Sequence, residues 1–414
     1  MNKNSKDVFF TLNSQRINYL LEFYNIELDT LLKEIQGNNK REVISKEDLK
    51  LALEGSFKIP LNILKKIDLI FEKGITWYIS KFPLPNKEKK NIFFRKDKLN
   101  AELNFATKKI IEEYEEKKVL ISNYCQNLDF EAKREFNFSI KDNPKEVSYI
   151  IRDVFEKKKE ILIKEEIIKK TAKTDRGYLE QLIRVFEQFN IFIFEHVNYK
   201  KNQDKIPNFN GFFLSPNLVV IQRQQKYLKR EIFTLMHEIG HYLINEEEVD
   251  EKVSERYSEN LNEIEKWCND FAYYFLVGEC DNVLKNIPEC NTANNFNLEL
   301  FEKISEETKL STFALLTRSK IYNKISETNY NQIYNEIQEN IKLSILKEKE
   351  ENRRKAELAK ENGEKLIIPP AKPIESKLFK DIVRMNYFEG KLSESNVLKA
   401  LNVKNKSFEE VIYS

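Results

Sequence analysis

"NGFFLSPNLVVIQRQQKYLKREIFTLMHEIGHYLIN", residues 210 to 245, decides how this chain is read. As far as Gln222 the stretch is rich in β-branched and aromatic residues and is punctuated by Asn, Gly and Pro, as strands with a tight connection are. From about residue 229 the apolar spacing changes to the helical period. Ile232, Phe233, Leu235, Met236, Ile239 and Leu243 then share one packing face. Just upstream, "NIFIFEHV" (190–197) reads as another strand. Before it, "GYLEQLIRVFEQF" (177–189) is an amphipathic helix with Leu179, Leu182, Val185 and Phe186 on one side. A further helix is expected at about 260 to 278, with Ile264, Trp267, Cys268, Phe271 and Phe275 as its stripe. The expected class is α+β and mostly helical: a small β-sheet packed on the helix at 229–245, with helical domains at both ends.

Working outward, four short helical patterns fill residues 14 to 82, and "KFPLPNKEKK" (81–90) reads as a linker. Residues 92 to 175 are charged and helical in pattern. A charged helix near 328–362 reads as a solvated face, with partner binding as the sharper alternative. A proline break at 366–375 and short helices at 377–389 and 393–412 follow. The expected domains are 1–82, 83–144, 145–325 and 326–414.

The chain has 69 basic and 67 acidic residues, a formal net charge of +2, which makes no strong electrostatic case for nucleic acid or membrane. No apolar run approaches a membrane span and the N-terminus lacks a signal-peptide pattern, so a cytoplasmic location is expected. Cys125, Cys268, Cys280 and Cys290 match neither a disulfide framework nor a paired Cys-x-x-Cys site.

The chemistry lies in "HEIGH". Positions i and i+4 of a helix share a face, so His237 and His241 can bind one metal ion through neutral imidazole. Glu238 flanks them as a general base that takes a proton from the water the metal activates. A third ligand must be a carboxylate, because His196, upstream in a strand, is the only other histidine. Glu255, Glu259, Glu263 and Glu265 are candidates. Glu265 is preferred because it borders the apolar stripe of its helix, with Asn269 one turn on as its orienting neighbour. Zinc suits this set, and manganese also fits. Tyr242, Tyr257, Tyr273, Tyr274 and Arg318 are candidate oxyanion donors among which the sequence does not choose. An extended peptide substrate would add to a free edge of "GFFLS" or "NLVVIQ" and so cross the metal.

These residues resemble the ImmA/IrrE family of bacterial metallopeptidases. Arg230, Phe233 and Thr234 precede the His-Glu-x-Gly-His block as in that family, and "EKWCNDFAYYFLVG" resembles its Glu-x-x-x-Asn-x-Phe-Ala helix, which also maps the third ligand onto Glu265. "FLVGE" departs from the usual Leu-Met-Pro ending. Residues 14 to 82 resemble a diverged helix-turn-helix of the Cro/repressor type, and 378 to 411 resemble the C-terminal segment of long members. The resemblance implies a zinc-dependent endopeptidase of the gluzincin kind. Its protein substrate would be a helix-turn-helix transcriptional repressor, so that repression is relieved under stress. The competing expectation is a non-proteolytic regulator or anti-repressor that uses the metal domain as a sensor. DNA binding is weakly supported, since residues 1 to 82 hold 13 Lys plus Arg against 11 Asp plus Glu.

Overall fold

The computed structural model describes residues 8–24, 26–37, 43–82, 103–198, 206–223, 227–247, 249–251, 262–290, 296–361, 372–403 and 408–413. The linker at 83–90 lies outside them. The chain forms two compact units: Met1–Ile111 with Gln203–Pro207, and Glu112–Asn202 with Asn208–Ser414. No described helix is long and apolar enough to cross a membrane.

The first unit runs β1 (Phe9–Thr11), α1 (Ser14–Tyr24), α2 (Leu28–Gln36), α3 (Lys46–Leu53), β2 (Lys58–Pro60), α4 (Leu61–Phe71) and α5 (Ile75–Ile79). Its helices bury the apolar positions that their spacing marks out, among them Ile17, Leu20, Leu31, Leu49, Ile63 and Ile67. An antiparallel ribbon, with Phe10 opposite Ile59, was not legible in these short runs.

In chain order, the helices and strands that follow are α6 (Phe105–Asn127), α7 (Pro144–Lys164), α8 (Asp175–Phe186), β3 (Phe192–His196), β4 (Phe209–Leu214), β5 (Leu218–Gln222) and α9 (Leu228–Ile244). After them come β6 (Val249–Glu251), α10 (Glu263–Val277), α11 (Cys280–Asn286), α12 (Leu298–Thr308), α13 (Thr312–Ile321) and α14 (Glu327–Glu361). The short helices α15 (Lys377–Phe388), α16 (Glu394–Ala400) and α17 (Phe408–Ile412) close the chain. The mostly helical α+β class is as expected.

The sheet of the larger unit has the order β3-β5-β4-β6. β3 runs parallel to β5, and β4 is antiparallel to both β5 and β6. A strand covered on both faces carries apolar residues on both, which is why "LVVI" shows no alternation. Ile193, Phe213, Val219 and Ile221 join the core that includes Leu235, Met236, Ile239 and Tyr242 of α9. On the other face Tyr114 of α6 meets Phe194 and Phe212, with ring centroids 5.7 and 5.9 Å apart. The expected free edge is not found. β5 is central, and β4 is flanked by β5 and by β6, because the chain returns to the sheet after α9.

A buried charge cluster ties the sheet to α9 and to the C-terminal segment. Glu195 of β3 and Glu231 of α9 have fully buried side chains and share Arg176 and Arg223. Glu195 also accepts from Arg176 Nη2 at 2.6 Å and from the backbone N–H of Ile374 at 2.5 Å. Burial opposes its charge, but Arg176, Ile374 N–H and Arg223 together hold its carboxyl below the usual carboxylate range. Arg176 and Arg184 donate to the carbonyls of Lys372 and Glu375, and Ser376 Oγ donates to Glu187. Removing one partner from such a cluster strands the others. Glu195→Gln is expected to cost about 3–5 kcal/mol of stability, measured by urea unfolding, and unchanged stability would refute this account.

Candidate active site

The first link is the N-terminus of α10. Asn262 caps it, its side chain accepting from Glu265 N at 2.8 Å, and so sets the first helical turn that carries Glu265. Farther along, Trp267, Cys268, Phe271 and Phe275 are buried in the core. The crossing with α9 is close at Gly240. A Cβ there would lie 3.1 Å from Cys268 Cα and Cβ and 3.2 Å from its Sγ. This crossing brings two one-turn-spaced histidines and one carboxylate together.

Among the described residues, ligand atoms of His237, His241 and Glu265 all lie within 4.8 Å of one another. His237 and His241 present their Nε2 atoms to each other at 3.1 Å. Glu265 Oε2 is 3.3 Å from His237 Nε2, and its Oε1 is 3.6 Å from His241 Nε2. His241 is fully buried and Glu265 retains partial exposure. Glu263, the neighbouring candidate, is exposed, whereas Glu255 and Glu259 lie outside the described residues.

The other ring nitrogens determine what these Nε2 atoms offer. His241 Nδ1 lies 3.0 Å from the backbone carbonyl of Glu246, which can only accept, so this nitrogen carries the proton. His237 Nδ1 lies 3.0 Å from Asn269 Oδ1 and is held the same way. Asn269 therefore orients His237, not the Glu265 neighbour for which it was expected. Burial lowers the proton affinity of His241, with Glu265 partly opposing that shift. Rings held through Nδ1 turn two Nε2 atoms and a carboxylate toward one point. Two imidazole nitrogens and a carboxylate are the donor chemistry of a zinc site. Two nitrogens on a tetrahedral zinc are roughly 3.3 Å apart, close to the spacing seen.

Glu238 is fully buried. It lies under β4, where a Cβ added to Gly211 would come within 2.7 Å of Glu238 Oε1 and 2.8 Å of Thr234 Cγ2. Glycine is needed there for that approach. Thr234 entered the sequence reading only through the family resemblance, and the Glu246 carbonyl not at all. Gly211 left a signal as an isolated glycine inside a strand pattern.

The oxyanion candidates have other attachments. Tyr242 packs in the core, and its hydroxyl accepts from Glu135 N at 3.1 Å. Its phenol is pushed up to about 12, chiefly by burial. Tyr273 donates to Asp281, and Arg318 pairs with Asp270 at 2.6 Å while stacking on Tyr273 and, less closely, on Tyr274. Tyr257 lies outside the described residues. His196 packs by its ring beside Tyr114 and Phe209.

Two measurements test this geometry. Gly211→Ala overpacks the crossing and is expected to cost about 1–3 kcal/mol in thermal unfolding; a melting temperature equal to wild type would remove the close-approach argument. His241 has a folded-state proton affinity below its ordinary value of 6.5. Below that pH the unfolded chain binds the proton and the folded chain does not, so the metal-free protein should lose stability as pH falls from about 6.5. His241→Gln should flatten this part of the pH dependence, and a slope unchanged by the substitution would assign it elsewhere.

No curated protein matches the chain. Residues 186–319, which span β3 to α13 and hold His237, Glu238, His241 and Glu265, match the peptidase family model described as the IrrE N-terminal-like domain, so this segment is similar to a metallopeptidase family.

Proposed function

We propose that the chain is a zinc-dependent endopeptidase acting on a regulatory protein. The observation that carries this reading is the convergence of two buried Nε2 lone pairs with the Glu265 carboxylate, beside a buried glutamate. His237, His241 and Glu265 would hold the ion, and zinc or manganese suits these donors. When bound, such an ion polarises a carbonyl and acidifies water.

The chain's own residues supply the rest. Asn269 and the Glu246 carbonyl hold the Nδ1 side of each ring, so both rings stay oriented with Nε2 toward the ion's place. Glu238 takes the proton of the attacking water and returns it to the leaving amine. The core around Phe213, Tyr242 and Met236 excludes bulk water beneath that carboxylate. Charges act more strongly in such surroundings than in solution. A helix-turn-helix repressor as substrate rests on the family resemblance, and the first unit is given no DNA-binding role here.

The test compares protein N-termini in cells carrying wild type and Glu238→Gln. New termini in one regulatory protein should appear with wild type alone, and the variant should keep its metal while losing about 10²–10⁴-fold in cleavage rate. Equal cleavage by the two proteins would overturn the assignment of Glu238. Metal bound by both, with no cleavage by either, would turn the reading toward sensing.

A further inference from the structure

β6 matters because of where it pairs. Its register against β4 sets Glu251 opposite Phe209, Asp250 opposite Gly211 and Val249 opposite Phe212. Gly211 is the residue under which Glu238 lies. The middle of β6 therefore runs beside the strand position that covers the general base.

Two distances decide where an extended substrate can lie. A general base works through a hydrogen bond or one intervening water, so the attacked carbonyl must come within about 6 Å of its carboxylate. Neighbouring strands are about 4.8 Å apart. Glu238 Oε1 lies against Gly211 of β4, so a peptide in the row next to β4 runs about one strand spacing to the side of the carboxylate. One added outside β6 runs about two, roughly 9.6 Å and beyond that reach.

We propose that Val249–Glu251 occupies the row an extended substrate peptide must take, so that the folded chain is latent and a substrate engages by displacing the protein's own strand. This rests on the peptidase reading above. β6 is three residues long and stands at the sheet edge. A pairing this short is readily exchanged, and the main-chain hydrogen bonds offered by β4 are the same for any incoming chain.

The test uses the full chain loaded with zinc and carrying Glu238→Gln, with fluorescently labelled β-casein as an unfolded probe. Asp250→Pro puts a residue that strands disfavour in the middle of β6. A second variant replaces residues 249–251 with Gly-Ser-Gly, which pairs poorly as a strand. Metal content and circular dichroism check that both fold. Both should bind casein at least about tenfold more tightly than the parent, because the binding-competent fraction rises. With Glu238 restored, both should cleave it faster. Unchanged binding in both variants would overturn the inference, and weaker binding would do so by making β6 itself the docking edge. Tighter binding without cleavage would keep the displaced strand and remove the peptidase reading. Cleavage by the parent with no gain in either variant would do the reverse.

Discussion

The contact between β4 and α9 at Gly211 and Glu238 governs the site. A strand and a helix come this close only where a side chain is missing, and a Cβ on Gly211 would stand 2.7 Å from Glu238 Oε1. Everything around the contact serves to hold it. β5 fixes β4 from one side, with Phe213 opposite Val219, and α9 lies across both strands through the core that contains Phe213 and Val219. On the far side of α9, Gly240 admits Cys268, whose Cα would stand 3.1 Å from a Cβ there. The active helix is thus gripped between a strand and a helix, each seated on a glycine. Its histidines can then be aimed by packing together with the hydrogen bonds at Asn269 and Glu246.

That rigidity gathers three polar side chains at one point, since ligand atoms of His237, His241 and Glu265 all lie within 4.8 Å of one another. Asn269 and the Glu246 carbonyl each hold one ring through Nδ1. Arrangements of this kind commonly cost stability elsewhere in a fold.

Much of this was legible in the sequence. The change of period between Gln222 and Leu228 marked the strands and the active helix, because burial on two faces and burial on one stripe leave different patterns. The one-turn spacing of His237 and His241 and the stripe of α10 drew attention to the residues that the fold brings together. What failed to show was long-range or carried by the backbone. The Glu246 carbonyl has no side-chain signature. The role of Asn269 was attached to the wrong neighbour, because sequence spacing says which face a residue shares and not which helix it answers. β6 was missed because three residues in an acidic run carry no periodicity, and pairing with β4 is a tertiary choice. For Tyr242, beside a ligand, plain packing was the better reading, and its ring lies in the core with its hydroxyl at Glu135.

The charge cluster around Glu195 has a consequence for how the protein is made. Arg176, Glu195, Arg223 and Glu231 belong to the middle of the chain, but Ile374 N–H, which completes the shell of Glu195, comes from 179 residues farther on. Synthesis proceeds from the N-terminus and domains tend to fold in that order. A nascent chain that has already formed the sheet and the first turn of α9 still holds a buried carboxylate lacking one of its donors. The shell of Glu195 is therefore complete only once the segment around Lys372 to Ser376 is in place, which makes the late part of the chain a contributor to a cluster built in its middle.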